Sequence, residues 1–205
     1  PSVIKPASET PLTMIAMFTV IDENVDLPEG MINLVMGKAS VIGKELCENT
    51  DVPMLSFTGS TEVGRILIID TADQVKKLAL ELGGNAPFII FDDADLDKAA
   101  DNLIANKFRG GGQTCVCANR IFVHEKVMDA FAGKLADRVN KMTVGDGING
   151  DVDIGPLINR AGFDKVRDHL ADALKKGASL VAGTQPDDLP KDKLFFPPTV
   201  VSGVK

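Results

Sequence analysis

Two cysteines one residue apart, Cys115 and Cys117, follow a run of three glycines, and Arg109 stands six positions before the first cysteine. A reactive thiol needs room for a substrate and a local field that favours the thiolate. Glycines leave that room, and backbone N–H groups turned inward by such a loop can hold an oxyanion. The alternative is a glycine-rich turn followed by a buried segment, since free cysteine is among the most buried residue types.

Glu81 is a second candidate for chemistry because it interrupts the apolar segment Ala79-Leu80-Glu81-Leu82. A carboxylate in apolar surroundings loses hydration unless it is paired, and such a setting is typical of a general base. The alternative is an edge strand on which Glu81 faces water. The sequence leaves both interpretations open.

Gly59 and Gly64 bound a turn between a predicted strand and a predicted helix. In an open α/β sheet this is where a phosphate meets backbone N–H groups and the positive end of a helix dipole. The spacing matches neither G-x-G-x-x-G nor the P-loop pattern, so a plain strand-to-helix turn is equally compatible with it.

The elements that must position these residues alternate between strand and helix. Thr10 is the predicted N-cap of the first helix, with Pro11 at its first position, and Asp92, Asp93, Asp95 and Asp97 crowd the start of a later one. Strands are predicted at 3–5, 31–36, 52–58, 78–82, 88–91, 120–124, 178–182 and 195–201. Helices are predicted at 11–24, 40–49, 65–72, 126–142 and 159–177, and the helix that begins in the acidic cluster runs to about Phe108. This order predicts an α/β fold with a parallel sheet.

Composition excludes several functional classes. The chain has 205 residues, 44% of them hydrophobic, which is enough for one large or two small cores. A net charge of −7 offers no basic stripe for nucleic acid, and no apolar run reaches the ~20 residues of a membrane span.

Three cysteines suggest a reducing compartment, cytoplasmic or mitochondrial, with Cys47 packed and inert. No metal site is expected, since His124 and His169 are the only histidines and the acidic cluster lacks the spacing of a calcium loop.

Four separated segments together resemble the aldehyde dehydrogenases that use NAD or NADP. They are residues 5–11 (KPASETP), 57–64 (FTGSTEVG), 80–85 (LELGGN) and 112–115 (GQTC). Four matches in one order are more specific than any one of them, and the resemblance runs over the whole chain. Residues 80–99 and 107–120 most resemble the NADP-dependent succinate-semialdehyde dehydrogenase branch of that family.

The resemblance implies a catalytic role for two residues. Cys115 would attack the aldehyde carbon as a thiolate and form a thiohemiacetal, whose oxyanion is held partly by the Cys115 N–H. Hydride transfer to the nicotinamide would leave a thioester. Glu81 would then activate the water that hydrolyses the thioester.

The resemblance also implies cofactor and substrate contacts. Lys5 would bind the adenine ribose and Ser60 the pyrophosphate, with Gly59, Gly64 and Leu82 beside them. Ser8 stands where strictly NAD-dependent members commonly have a glutamate, so a 2′-phosphate has room and NADP is the preferred cofactor over NAD. Arg109 would bind a substrate carboxylate with its guanidinium fork, the alternative being a surface salt bridge. Cys117 would form a reversible disulfide with Cys115 or serve as a packing residue.

Several family segments are not found in these 205 residues, among them the Pro-Trp-Asn-type and Glu-x-Phe-Gly-Pro segments. The resemblance therefore implies an internal fragment of a homo-oligomeric enzyme, inactive by itself. Residues 1–82 would be the C-terminal half of the NAD(P)-binding domain and 83–205 the N-terminal half of the catalytic domain. The rival hypotheses are a non-catalytic binding or structural module, an enzyme for another acidic aldehyde, and a metal or redox protein built on the cysteine pair.

Overall fold

The computed structural model describes residues 1–204, and the chain divides into two units, Pro1–Gly83 and Gly84–Lys205. The assignment of the units as parts of a cofactor domain and a catalytic domain stays a prediction. Within residues 1–204 no helix combines the length and the apolar character that crossing a membrane requires.

The first unit alternates strictly between strands and helices. Its elements are β1 (Ser2–Ile4), α1 (Leu12–Asn24), β2 (Ile32–Leu34), α2 (Ala39–Glu48), β3 (Met54–Thr58), α3 (Thr61–Asp70) and β4 (Lys77–Glu81). β1 pairs with β2 and β3 pairs with β4, in both cases in parallel. Each pair is joined through a helix, as a parallel connection requires, which confirms the predicted strand–helix–strand arrangement.

The register of β3 and β4 brings segments 57–64 and 80–85 together at the carboxyl ends of the two strands. Thr58 lies opposite Glu81, and the Gly59 N–H donates to the Glu81 carbonyl at 3.0 Å. Because the strands are parallel, their carboxyl ends meet there, and α3 begins two residues after Gly59.

Two helix starts differ from the sequence prediction. α1 begins at Leu12 with Pro11 in the cap position and no side-chain cap, so the predicted Thr10 cap is wrong. α3 begins at Thr61 rather than near residue 65. The physical reason is a cap: Ser60 Oγ accepts the Val63 N–H at 3.2 Å and satisfies one of the free donors of the first turn.

The second unit holds one parallel and one antiparallel strand pair. Its elements are β5 (Ala86–Ile90), α4 (Leu96–Lys107), β6 (Ala118–Val123), α5 (Met128–Val139), α6 (Arg160–Lys175), β7 (Ser179–Ala182) and β8 (Val200–Ser202). β5 pairs in parallel with β6 across α4, whereas β7 and β8 are antiparallel. The predicted strand at 195–201 shrinks to β8, because Pro197 and Pro198 have no N–H to donate to a ladder. The main core contains Ile90, Ala100, Leu103, Ala118, Phe131, Leu135, Val139 and Ala182.

The acidic cluster before α4 serves that helix. Asp95 caps it by accepting the Lys98 N–H at 3.1 Å, and Asp97 bonds Lys134 at 2.7 Å and Arg138 at 3.1 Å. The Lys98 N–H holds the pKa of Asp95 below its ordinary value, and the Lys134 ammonium does the same for Asp97. These bonds stabilise the fold at pH values above the ordinary pKa of a carboxyl group. That stabilisation is lost as the pH falls through the lowered pKa values of Asp95 and Asp97. Across residues 1–204, no group of three or more metal-ligating side chains could hold an ion.

Candidate active site

Cys115 lies in a turn between the glycine segment Arg109–Gly112 and β6, and it is exposed. The three glycines before it all have left-handed backbones, with φ of 60° at Gly110, 65° at Gly111 and 75° at Gly112. Residues with a Cβ rarely adopt this region. The glycine run is therefore a backbone requirement of the loop that presents Cys115.

The backbone N–H groups of this turn differ in whether they have a hydrogen-bond acceptor. The Val116 N–H donates to Thr114 Oγ1 at 3.3 Å and the Cys117 N–H to the Thr114 carbonyl at 3.5 Å. The Cys115 N–H donates to no acceptor within residues 1–204. A free N–H on the residue that carries an exposed thiol can stabilise negative charge that develops next to the sulfur.

Cys117 has a different environment, with only 1% of its surface exposed. Its Sγ lies 3.0 Å from the Thr114 carbonyl and 3.4 Å from the Gly112 carbonyl, and Lys107 Nζ approaches it at 3.5 Å. These contacts suit the packing role that the sequence left open. The reversible disulfide with Cys115 stays a prediction.

The third cysteine, Cys47, is buried on α2, which confirms that it is packed. Burial raises the pKa of the Cys47 thiol, and the nearby carboxylate of Asp70 adds to the effect. Both influences disfavour the thiolate, so Cys47 is a poor nucleophile.

Gly84, which the sequence did not single out, contacts the backbone of the turn that carries Cys115. A Cβ at position 84 would lie 2.9 Å from the Cys115 carbonyl oxygen, closer than any side chain tolerates. Asn119 Nδ2 donates to the Gly84 carbonyl at 3.0 Å and ties the start of β6 to this point. The paired glycines after Leu82 were the available signal, but a glycine pair alone does not reveal what it touches.

Arg109 is exposed at the first residue of the glycine segment, six positions before Cys115. Its side chain forms no ion pair or hydrogen bond with any of residues 1–204. The surface salt bridge considered as an alternative is therefore not present in the described part of the chain. Its guanidinium is free to bind an anion.

Within the first unit, the structure brings together most of the predicted cofactor residues. Ser60 caps α3, and Gly59 joins the end of β3 to Glu81. Gly64 lies inside α3 rather than at the end of a turn, and its missing side chain makes room for Leu82, whose Cδ2 lies 2.7 Å from where a Cβ would stand. The free N–H groups at the start of α3 fit a phosphate.

Lys5 and Ser8 both follow the carboxyl end of β1. Lys5 is half-buried, and its Nζ donates to the carbonyl of Pro6 at 2.6 Å. Ser8 is exposed in the loop that precedes α1. They share with Ser60 a position just beyond the carboxyl end of a parallel strand, which is where α/β sheets bind ligands.

Glu81 is the last residue of β4, and its side chain is exposed. Leu78 and Leu80 are half-buried whereas Lys77, Ala79 and Glu81 are exposed, so the strand alternates with a period of two. The predicted apolar setting of Glu81 is wrong in this unit, and the water-facing alternative holds. Its assignment as a general base then depends on its place at the strand end rather than on desolvation.

The model of the aldehyde dehydrogenase family matches residues 2–205. The chain belongs to the aldehyde dehydrogenase family. The α/β fold with parallel strand pairs that was predicted from the sequence is thereby confirmed as a partial aldehyde dehydrogenase fold.

Individual aldehyde dehydrogenase relatives cover nearly all of this chain. It is 50% identical over 202 residues to the Escherichia coli protein named succinate-semialdehyde dehydrogenase (NADP(+)), covering 98% of this chain and 41% of that protein. Among solved structures, an oxidoreductase from Marinobacter aquaeolei is 81% identical, with a TM-score of 0.97 over 100% of this chain and 42% of that one. A succinate-semialdehyde dehydrogenase from Burkholderia pseudomallei is 53% identical, with a TM-score of 0.94 over 100% and 42%. The chain thus spans about 41% of the length of its curated relatives.

The contact of Gly84 with the Cys115 turn gives a first prediction. Under the catalytic role that the resemblance implies for Cys115, Gly84→Ala should lower turnover about tenfold to a hundredfold, because the new methyl group displaces the Cys115 carbonyl. Steady-state kinetics would measure the change. Gly133→Ala is the matched control, since a Cβ at that exposed position meets nothing within 4 Å. Equal rates for the two variants would refute the contact's importance.

Proposed function

We propose that the natural protein carrying this sequence oxidises an acidic aldehyde, with succinic semialdehyde as the first candidate and NADP preferred over NAD. The observation that carries the proposal is the exposed thiol of Cys115, which lies in a left-handed glycine loop and has its own N–H free within residues 1–204. A nucleophile and an oxyanion donor on one residue suit attack on a carbonyl carbon.

The chain's own groups then have distinct tasks. The Cys115 thiolate attacks the aldehyde carbon, and the Cys115 N–H stabilises the oxyanion of the thiohemiacetal. The nicotinamide cofactor, when bound, supplies the hydride acceptor. Glu81 takes a proton from the water that cleaves the resulting thioester, which releases the carboxylic acid and the thiol. Lys5, Ser8 and Ser60 bind and orient the cofactor from the ends of parallel strands.

Several relatives support an acidic substrate by their names. They include glutarate-semialdehyde dehydrogenase, 47% identical, 3-sulfolactaldehyde dehydrogenase, 46%, and aspartate-semialdehyde dehydrogenase, 45%. The aldehydes in these names all carry a carboxylate or a sulfonate in addition to the aldehyde group. An arginine without an ion-pair partner in residues 1–204, such as Arg109, is suited to such an anion. We place Arg109 at the far end of the substrate.

Arg109→Ala should raise the KM for succinic semialdehyde at least about tenfold, because a charge-assisted hydrogen bond is lost. The KM for a neutral aldehyde of similar length should stay nearly unchanged. Arg167→Ala is the matched control, since Arg167 already forms ion pairs with Asp164 and Asp168 on α6. An equal rise in KM for both aldehydes would contradict the assignment.

The cofactor and the reaction can be tested together. Initial rates with succinic semialdehyde should give a higher kcat/KM with NADP than with NAD, because Ser8 leaves room for a 2′-phosphate and can donate a hydrogen bond to it. A strong preference for NAD would remove the role of Ser8. Absence of turnover with both cofactors, and with other acidic aldehydes, would favour the non-catalytic binding or structural module instead.

We expect the 205 residues alone to be inactive. On the β5–β6 pair, Ile89 is 59% exposed and Phe122 50%, and Phe91 just after β5 is 62% exposed. Apolar surface of this kind is normally covered in a folded enzyme. A cytoplasmic location and a homo-oligomeric assembly of the natural protein belong to the same proposal. Activity and intact-mass measurements on the 205-residue chain would test whether Cys115 can be alkylated without turnover.

A further inference from the structure

The side chain of Asn119 connects two points beside the Cys115 turn. Its Oδ1 accepts from Lys107 Nζ at 2.9 Å, and its Nδ2 donates to the Gly84 carbonyl at 3.0 Å. An ammonium can only donate and a carbonyl can only accept, so these partners fix the orientation of the amide. Lys107 is thereby held at the end of α4 and Gly84 just before β5.

Gly84 in turn limits the position of Cys115. The site of its missing Cβ lies 2.9 Å from the Cys115 carbonyl oxygen, so the two backbones are in direct contact. The carbonyl and the N–H of Cys115 flank the same Cα. Restricting the carbonyl therefore limits the position of the Cα that carries the N–H.

A second tie acts at Cys117, the residue before β6. Lys107 Nζ also approaches Cys117 Sγ at 3.5 Å, and that sulfur bonds the Thr114 carbonyl at 3.0 Å. The turn is consequently held through Lys107 at Cys117 and through Asn119 at Gly84. The Cys115 N–H belongs to the same turn and has no acceptor within residues 1–204.

We propose that Asn119 and Lys107 are positioning residues, which hold Gly84 and Cys117 so that the Cys115 N–H is aimed at the oxyanion formed on attack. This inference rests on the proposed function. Asn119 carries the larger effect, because its bond to Gly84 bears on the Cys115 backbone directly. Lys107 acts through Asn119 and Cys117.

The experiment uses the natural protein with three changes. Asn119→Asp keeps an acceptor for Lys107 but replaces the donor to Gly84 with a lone pair. Lys107→Met removes the ammonium and leaves the bond from Asn119 to Gly84. Asn102→Asp, the same change at an exposed α4 position whose side chain has no hydrogen bond to another of residues 1–204, is the matched control.

Two reactions of Cys115 separate positioning from general loosening. Alkylation by iodoacetamide needs a reactive, accessible thiol but no oxyanion donor, whereas the first-turnover burst of reduced cofactor needs both. Asn119→Asp should slow the burst at least about tenfold, since losing one such donor altogether costs about a hundredfold or more. Its alkylation rate should stay within about twofold of the unmodified protein. Lys107→Met should slow the burst less, and the control not at all.

Each other result overturns the inference. A burst of unchanged rate in Asn119→Asp would show that the bond to Gly84 does not position the N–H. A parallel fall of burst and alkylation, with a lower Tm, would show a merely structural role. If the unmodified protein shows neither a burst nor alkylation at Cys115, the proposed function fails and the inference falls with it, which distinguishes that case from the other two.

Discussion

Replacing Cys115 with serine should lower the kcat for aldehyde oxidation by the natural protein at least about 10³-fold, because a serine hydroxyl is a far weaker nucleophile than a thiolate near neutral pH. The turn itself should survive, since Cys115 is exposed and serine is nearly isosteric. Steady-state kinetics with succinic semialdehyde and NADP would measure the loss. Intact mass after iodoacetamide should show one adduct fewer than in the unmodified protein.

Cys47→Ala is the matched control for Cys115→Ser, because it removes a thiol that is buried on α2. It should lower the Tm through the lost packing and leave kcat within about twofold. Residual activity of Cys115→Ser above a tenth of the unmodified rate would mean that another group forms the covalent bond. The mechanism proposed above would then be wrong at its first step.

Glu81→Gln should leave the first turnover and stop the later ones. An amide cannot take a proton from water, so the steady-state rate should fall about 10²- to 10⁴-fold while the burst of reduced cofactor remains. The acyl group should accumulate on Cys115 and appear in the intact mass after mixing with substrate. Quenched-flow mass measurement would follow its formation and slow hydrolysis.

Glu23→Gln is the matched control, since Glu23 is an exposed carboxylate on α1. It should change neither the burst nor the steady state. Loss of the burst in Glu81→Gln would contradict the assignment to thioester hydrolysis and would give Glu81 a role before the thioester forms. The exposure of Glu81 at the end of β4 makes this test necessary, because burial does not mark it as a base.

The alternation of strands and helices was predictable because apolar periodicity and capping residues agree along most of the chain. Asp95 and Asn159, for example, cap α4 and α6 through their own side chains. The start of α3 was mistaken because Gly64 resembles the end of a turn. Only the structure shows that this glycine lies inside the helix, where the absence of a side chain leaves room for Leu82.

The candidate site was predictable where the chemistry is local in sequence. A thiol after three glycines predicted either a loop that presents Cys115 or a turn before a buried segment, and the structure gives left-handed glycines with Cys115 exposed and Cys117 buried. The contact of Gly84 with Cys115 was not predictable, because it joins residues about thirty positions apart through backbone atoms alone. The exposure of Glu81 was one of two open alternatives, since an apolar segment does not tell which face of a strand a side chain takes.

The unequal exposure of the three thiols has a practical consequence. Cys47 lies in the unit Pro1–Gly83 and Cys117 in the unit Gly84–Lys205, and each is 1% exposed. A maleimide can reach either thiol only when its own unit opens, whereas Cys115 reacts in the folded state and can be capped beforehand. The labelling rates of the two buried thiols therefore measure the opening of each unit separately, without an introduced probe.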